Sequence, residues 1–347
     1  MRRPPGAVEA AIEELRRGRM VVVCDGDGRE SEGDLLAAAE FADAETINFM
    51  AREARGLICL ALSDERCEEL ALTPIGRRAE PAGDGAFMVS IEARDGVTTG
   101  ISAADRAQTI RTAIDPARGP EDLVRPGHVF PLRARPGGVL ERGGHTEAAV
   151  ELAELAGQAP AAVLCEILSP DGTMSRGDEL AAYADRHGLA LVSVADLLAY
   201  RRRTERQLEP VATTRLPTRH GTFQAHEYRS RVDGSHHLAL VRGSLDGVAP
   251  TPVHVHTQCV GGESFGSLRC DCGPRLEAAL AAISAAGRGV LVYLAAETSP
   301  ATLLNEVRAH ALADPEHERG LGEEILADLG LEAGQGQAAE LERRAVA

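Results

Sequence analysis

The chain has 347 residues and a net charge of −16, from 53 acidic and 37 basic side chains, and it contains no lysine. Its length suits two domains, its acidity argues against a general nucleic-acid or membrane-surface binder, and the absence of lysine excludes catalysis through a lysine imine. Seven irregularly spaced Cys, with no signal-peptide or membrane-span pattern, predict a cytoplasmic protein whose thiols are free or metal-bound.

Strands and helices alternate along residues 1–203, which predicts a layered α/β domain. Strands are predicted at residues 20–24, 35–39, 57–62, 87–91, 161–168 and 189–194. Helices are predicted at residues 7–17, 44–55, 64–70, 103–113, 147–156, 178–187 and 194–203. A stretch rich in Pro, Gly and charge at residues 73–85 predicts a mobile loop, and Arg125–His128 predicts a tight turn.

The turn at residues 25–34 carries five carboxylates, one Arg and three Gly directly after an apolar strand. Carboxylates on a Gly-rich turn are oxygen ligands of the kind that Mg²⁺ prefers. Arg29 adds a planar donor fork that suits phosphate or the oxygens of a polyol. A solvated acidic turn has the same composition, so this stretch leaves both interpretations open.

The stretch at residues 142–148 places Arg142, His145 and Thr146 beside two Gly, ahead of a predicted helix. The N–H groups at such a helix start favour an anion. His145 could complete a metal site with Glu30, although a single His is also compatible with a structural role. The neighbouring Arg and Thr, which are donors suited to phosphate, favour a binding site.

Five stretches resemble, in order, motifs of 3,4-dihydroxy-2-butanone 4-phosphate synthase of riboflavin biosynthesis, between about Ala7 and Arg203. They are the two stretches above together with Gly96–Arg106, Arg125–Leu132 and Cys165–Ile167. The resemblance implies that D-ribulose 5-phosphate is converted to 3,4-dihydroxy-2-butanone 4-phosphate and formate by a homodimer. Gly26 and Gly28 stand where the family usually has carboxylates, so the affinity for metal could differ.

The same resemblance implies the residues that do this chemistry. It implies Mg²⁺ or Mn²⁺ held by Glu30 and His145, and proton transfer by the catalytic residues His128 and Glu166. The implied substrate-binding residues are Arg29, Glu30, Asp34, Arg142, Gly143, Gly144, His145, Thr146 and Glu166.

After a predicted linker at residues 204–210, residues 211–347 resemble GTP cyclohydrolase II and predict a smaller α+β domain. The resemblance is carried by Arg215–Thr218, His237–Val241 and Phe265–Gly273. Cys259, Cys270 and Cys272 keep the spacing of the three zinc ligands of that family. Three thiolates would leave the fourth tetrahedral position of a zinc ion open, so Zn²⁺ is expected here.

The second half departs from the cyclohydrolase pattern at positions that contact GTP in that family. His254 and Gln258 replace an Arg and a Glu, Thr298 and Ser299 replace a Gly and an Arg, and the segment after Asn305 is shortened. A triphosphate needs several cations around it. We therefore expect an inactive cyclohydrolase domain, with weak residual activity or a binding or scaffold role as alternatives.

Overall fold

The computed structural model describes residues 6–26, 32–75, 86–245, 251–296 and 315–331. The chain divides into two compact units, Met1–Arg203 and Thr204–Ala347. Most of the predicted loop at residues 73–85 lies outside the described residues. Within the described ranges, no helix is both long enough and apolar enough to cross a membrane.

The first unit is a mixed sheet between two layers of helices, which confirms the predicted α/β class. The sheet order is β4-β6-β3-β7-β2-β1-β8, and β5 pairs with β6. The strands are β1 (Val21–Cys24), β2 (Gly33–Ala38), β3 (Arg55–Leu62), β4 (Ala86–Phe87), β5 (Ile91–Ala93), β6 (Leu123–Arg133), β7 (Ala161–Ile167) and β8 (Ala190–Ser193). The helices are α1 (Ala7–Arg16), α2 (Ala44–Phe49), α3 (Asp64–Glu69), α4 (Ala103–Ile114), α5 (His145–Leu155), α6 (Asp178–His187) and α7 (Val194–Thr204).

The sheet has an apolar core on each face because its central strands carry runs of consecutive apolar residues, such as Val21–Cys24 in β1 and residues 35–38 in β2. In β2, Leu35 and Ala37 point into one core, whereas Leu36 and Ala38 point into the other. Helices α2, α3, α4 and α6 cover the Leu35 face, and α1, α5 and α7 cover the Leu36 face. The N-terminus of α5 lies on the Leu36 face, which is where the candidate site forms.

Two local predictions were wrong because strand pairing overrides the propensity of Pro and Gly for turns. Arg125–His128 is an irregular segment inside β6, since Val124 pairs with Glu92 and Val129 pairs with Ile91. A Cβ at Gly127 would lie 2.0 Å from the carbonyl oxygen of Ile91, so the segment needs Gly there. The predicted strand at residues 87–91 is divided between β4 and β5.

Two helix boundaries also differ from the prediction. Helix α5 begins at His145 and not at residue 147, so His145 and Thr146 belong to its first turn. The predicted helix at residues 44–55 is α helical to Phe49 and continues as a π-helical turn, Met50–Ala54, before β3.

The second unit is a five-stranded sheet with the order β12-β13-β11-β10-β9. Its strands are β9 (Leu208–Thr218), β10 (Gly221–Ser230), β11 (His236–Arg242), β12 (Val253–Thr257) and β13 (Gly289–Leu294). Its helices are α8 (Val260–Glu263), α9 (Cys272–Ala286) and α10 (Pro315–Asp328), and α9 and α10 pack on opposite faces of the sheet. The predicted linker at residues 204–210 overlaps the end of α7 and the start of β9.

Candidate functional site

The candidate site lies at the sheet edge where β1 and β7 end and β2 and β3 begin. Asp34 and Glu166 are paired neighbours in the antiparallel pair of β2 and β7. Paired residues place their side chains on the same face. Leu36 and Leu164, each two residues along the strand from this pair, belong to the core beneath α5, so the two carboxylates lie on the α5 face. Two carboxylates therefore meet at one edge, next to the first turn of α5.

His145 connects α5 to this edge through two aspartates. Its Nδ1 is 3.0 Å from Oδ2 of Asp34, which is 5% exposed, and its Nε2 is 3.0 Å from Oδ1 of Asp25. Burial lowers the pKa of His145, but the close contacts with the carboxylates of Asp25 and Asp34 outweigh burial and raise the pKa to about 10. The contact with His145 also lowers the pKa of Asp25. Without a competing cation, the imidazole is therefore held as a cation between two anions.

The surroundings of His145 fit a divalent cation. The Nε2–Asp25 contact has the length of an ion pair but not the geometry of a hydrogen bond, and the buried Nε2 has no hydrogen-bond partner among the described residues. A His whose Nδ1–H is donated to a carboxylate presents Nε2 as a metal ligand, which is the usual arrangement of His in metal sites. The expected second ligand, Glu30, lies with Arg29 outside the described residues.

Glu166 is a carboxyl group with a raised proton affinity. Its Oε2 accepts a 2.7 Å hydrogen bond from the N–H of Leu57. Burial, followed by the negative charge of Asp34, raises the pKa of Glu166. A Cβ at Gly56 would lie 2.6 Å from Oε2, so Gly56 leaves room for this side chain. A raised pKa suits a group that takes up and returns a proton near neutral pH.

His128 lies in β6, two strands away from β7, which carries Glu166. It is two residues before Phe130, which pairs with Cys59 of β3. Its Nδ1 is 2.6 Å from Oε2 of Glu92. The ring is therefore oriented by a carboxylate, and its other nitrogen remains for a ligand.

The stretch at residues 142–146 has donors suited to an anion. No side chain caps α5, so the first N–H groups of this helix are not satisfied by a cap. Arg142 is 23% exposed and its Nη1 is 3.5 Å from Oε1 of Glu147, whereas Thr146 is buried. Gly143 is exposed, and Gly144 occupies the N-cap position. The predicted phosphate-binding residues in this stretch therefore lie at one helix end.

The structure adds three residues that the sequence interpretation did not single out. Asp25 contacts His145, and Glu92 orients His128. Asp105 accepts hydrogen bonds from the N–H and hydroxyl of Thr98 and from the N–H of Gly100, which fixes the hydroxyl-rich loop before α4. A signal for Asp105 exists in the sequence, because Ser at the N-cap with an acid three residues later is a capping-box pattern.

In the second unit the structure brings together Cys259, Cys270 and Cys272, whose sulfur atoms all lie within 4.8 Å of one another. The Sγ atoms of Cys259 and Cys270 are 3.7 Å apart. Gly262 packs against the group, since a Cβ there would lie 2.7 Å from Sγ of Cys270. Burial raises the pKa of Cys259 and of Cys272. Three converging sulfur atoms fit a zinc ion, which would favour their thiolate forms.

A partly buried carboxylate, that of Glu263, supports the main chain at Cys259. Glu263 accepts hydrogen bonds from the N–H of Cys259 at 2.6 Å and from the hydroxyl of Tyr293 at 2.6 Å, and it lies 2.9 Å from Nε2 of His256. This carboxylate joins β12 and β13 to the turn that carries Cys259. It therefore fixes the main chain at that thiol.

The positions expected to contact GTP carry little positive charge. Burial lowers the pKa of His254, which therefore remains neutral at pH 7. Gln258 is bound to the end of β13, since its N–H donates to the carbonyl of Leu294 and its Oε1 accepts from the N–H of Ala296. Thr298 and Ser299 lie outside the described residues.

Two family models match the chain. Residues 9–200 match 3,4-dihydroxy-2-butanone 4-phosphate synthase, and residues 209–333 match GTP cyclohydrolase II. The chain is 48% identical to the riboflavin biosynthesis proteins RibBA of Salinispora arenicola and of Aquifex aeolicus. These alignments cover 94% and 93% of this chain, and 82% and 84% of the two relatives.

Solved structures give the same match. RibBX, a two-domain 3,4-dihydroxy-2-butanone 4-phosphate synthase from A. baumannii, is 37% identical, with a TM-score of 0.76 over 96% of this chain and 97% of that one. A 3,4-dihydroxy-2-butanone 4-phosphate synthase in complex with two magnesium ions is 43% identical, with a TM-score of 0.53 over 57% of this chain and 97% of that one. The resemblance inferred from the sequence motifs is thereby confirmed.

Proposed function

Because the chain belongs to the 3,4-dihydroxy-2-butanone 4-phosphate synthase family of riboflavin biosynthesis, we propose that residues 1–203 convert D-ribulose 5-phosphate to 3,4-dihydroxy-2-butanone 4-phosphate and formate. The observation that carries this proposal is the placement of His145: Asp34 fixes its Nδ1, and its Nε2, beside Asp25, has no hydrogen-bond partner among the described residues. Glu30 and His145 would hold Mg²⁺ or Mn²⁺. The atoms of the substrate and of the two products balance without an oxidant or a reductant.

The residues of this chain would divide the work by their charge and position. A bound divalent cation would polarise the ketone and hydroxyl oxygens of the sugar and so ease enolisation. Glu166, with its raised pKa, suits exchange of a proton with the substrate carbon chain, and His128, oriented by Glu92, suits a second proton transfer. Arg29, Asp34 and the donors at residues 142–146 would hold the phosphate and the hydroxyl groups.

The test is an assay of the full chain on D-ribulose 5-phosphate that measures formate, with Mg²⁺ and with chelator. His145→Gln should lower turnover by more than about 100-fold, because metal and substrate positioning are lost together. His187→Gln is a matched control, since His187 is a partly buried His of the same unit that packs against Phe49 and Tyr183. Turnover by His145→Gln close to that of the control would refute the proposed site.

A homodimer is part of this proposal. Leu57, Phe87 and Ile101 are 41%, 40% and 56% exposed, and Leu57 lies beside Glu166. Exposed large apolar side chains near a site are typical of an interface. Ile101→Glu should therefore lower the dimer fraction in sedimentation velocity. A wild-type chain that sediments as a monomer at micromolar concentration would contradict the dimer.

For the second unit, Zn²⁺ on Cys259, Cys270 and Cys272 is proposed, without meaningful GTP cyclohydrolase activity. The neutral His254 and the main-chain contacts of Gln258 support this reading, because the triphosphate would lack cations at these positions. The match of residues 209–333 to GTP cyclohydrolase II favours the second candidate, a chain that also opens the GTP ring. A binding or scaffold role is the third candidate. The described Cys residues form no disulfide, which suits a cytoplasmic location.

One incubation discriminates these readings. Zinc-loaded protein is mixed with GTP and Mg²⁺, and the triaminopyrimidine product is followed by absorbance, with pyrophosphate measured separately. No turnover is expected, although calorimetry would still detect nucleotide that binds without reacting. Turnover within about tenfold of a typical enzyme rate, near 10 s⁻¹, would establish the second candidate.

A further inference from the structure

Glu147 is a completely buried carboxylate beside the proposed phosphate-binding residues. It lies in the first turn of α5 and is 0% exposed. Its Oε1 accepts a 3.0 Å hydrogen bond from the N–H of Arg135 and is 3.5 Å from Nη1 of Arg142. Its Oε2 has no hydrogen-bond partner among the described residues. A buried carboxylate with an unsatisfied oxygen is costly, so a role beyond local stability is indicated.

The second oxygen of Glu147 faces the guanidinium of Arg142 across Gly144. A Cβ at Gly144 would lie 2.8 Å from Oε2 of Glu147 and 2.9 Å from Nη2 of Arg142. The φ angle of Gly144 is −115°, which other residues also adopt, so the need for Gly is steric. Because Gly144 has no side chain, the carboxylate of Glu147 and the guanidinium of Arg142 can approach each other across it.

We propose that Glu147 is a positioning residue that holds Arg142 in the orientation that receives the substrate phosphate; this rests on the proposed function. An unrestrained Arg loses much rotamer freedom when it binds a ligand. The Glu147 carboxylate removes part of that freedom in advance, because it is fixed by α5 and by the N–H of Arg135. At 3.5 Å the pair is too long for a direct hydrogen bond, so the guanidinium keeps donors for a phosphate.

Glu151 provides a matched control one turn further along α5. It is also a buried Glu, it also accepts a main-chain N–H from the segment before the helix, that of Val139 at 2.8 Å, and it also pairs with an arginine, Arg201. Its arginine belongs to α7 and not to the proposed phosphate site. Loss of a buried helix carboxylate is therefore common to both variants, whereas loss of the orienting contact with Arg142 is specific to Glu147→Gln.

The experiment compares the KM and kcat of Glu147→Gln and Glu151→Gln on D-ribulose 5-phosphate, with binding of inorganic phosphate measured by calorimetry. Glu147→Gln should raise the KM and weaken phosphate binding by about tenfold or more, with kcat changed less than about threefold. Glu151→Gln should leave KM within about twofold. In an Arg142→Met background, Glu147→Gln should have no further effect on either constant, because the cycle isolates the pair.

Several results would overturn the inference. They are an unchanged or lower KM in Glu147→Gln, an equal rise in Glu151→Gln, or a full additional effect when Arg142 is already replaced. If Glu147→Gln does not fold, Gly144→Ala is the alternative variant, because it disturbs the contact of Glu147 with Arg142 while both charges remain. A normal KM in Gly144→Ala would also overturn the inference. A wild-type chain that binds phosphate but does not convert the sugar refutes the proposed function alone, since calorimetry still tests the pair.

Discussion

Replacement of Asp34 by Asn tests whether the aspartate sets the metal affinity of His145. Asn keeps the shape of the side chain but gives Nδ1 of His145 a neutral acceptor in place of a carboxylate at 3.0 Å. Loss of a carboxylate behind a metal-binding His typically lowers metal affinity by about 10–100-fold, which is about 1.4–2.7 kcal/mol. Because Asp34 is 5% exposed, little of this contact is screened by solvent.

The assay is turnover of D-ribulose 5-phosphate as a function of free Mg²⁺, with Mn²⁺ binding followed by electron paramagnetic resonance. Asp34→Asn should shift the half-saturating metal concentration upward by about 10–100-fold. Asp43→Asn is the matched control, because Asp43 is also a hydrogen-bonded aspartate, but it caps α2 through the N–H of Thr46. An unshifted metal requirement in Asp34→Asn, or an equal shift in the control, would refute the reasoning.

Three further predictions concern other parts of the chain. Gly56→Ala should destabilise the first unit by about 1–3 kcal/mol in chemical denaturation and reduce turnover, because the new Cβ would lie 2.6 Å from Oε2 of Glu166. Unchanged stability and turnover would contradict the close packing of Gly56 against Glu166. Hydrogen bonds lower the pKa of Asp105 in the fold, so its charge stabilises the protein above the unfolded pKa of about 3.9, and the benefit disappears as the pH falls through the lower folded value. Asp105→Asn should therefore be less stable than the wild type at pH 7 and approach it below about pH 4; a gap that widens in acid would contradict this. Elemental analysis should find about one zinc per chain. The zinc should be absent from Cys270→Ser but present in Cys67→Ser, since Cys67 is buried in the apolar core of the first unit. Zinc retained in Cys270→Ser would count against the thiol site.

Local sequence patterns could predict most of the architecture. The apolar strand before Asp25 and the helical spacing of Val8, Ile12 and Leu15 predicted β1 and α1, which the structure contains, because these elements follow local propensity and periodicity. The Cys259, Cys270 and Cys272 spacing likewise pointed to a common site, and the three sulfur atoms converge in the structure. Such signals are contained within short windows of sequence.

Other features depended on contacts between distant segments. Local propensity predicted a turn at Arg125–His128, but pairing with β5 keeps this segment within β6. Helix α5 begins at His145 after an N-cap at Gly144, two residues before the start at residue 147 that the sequence predicted. These differences matter for function, because they place His128 on the sheet and His145 on a helix.

The sequence by itself determined the residue types of the site: carboxylates, His and Arg on Gly-containing stretches, and three Cys at zinc-ligand spacing. The tertiary structure decided which of them act on one another. Asp34 and His145 are 111 residues apart in the chain and meet only because β2 pairs with β7 beneath α5. The contact between buried Glu147 and partly buried Arg142 likewise depends on how α5 packs on the sheet, because burial and orientation are set by elements that a local window of sequence does not contain.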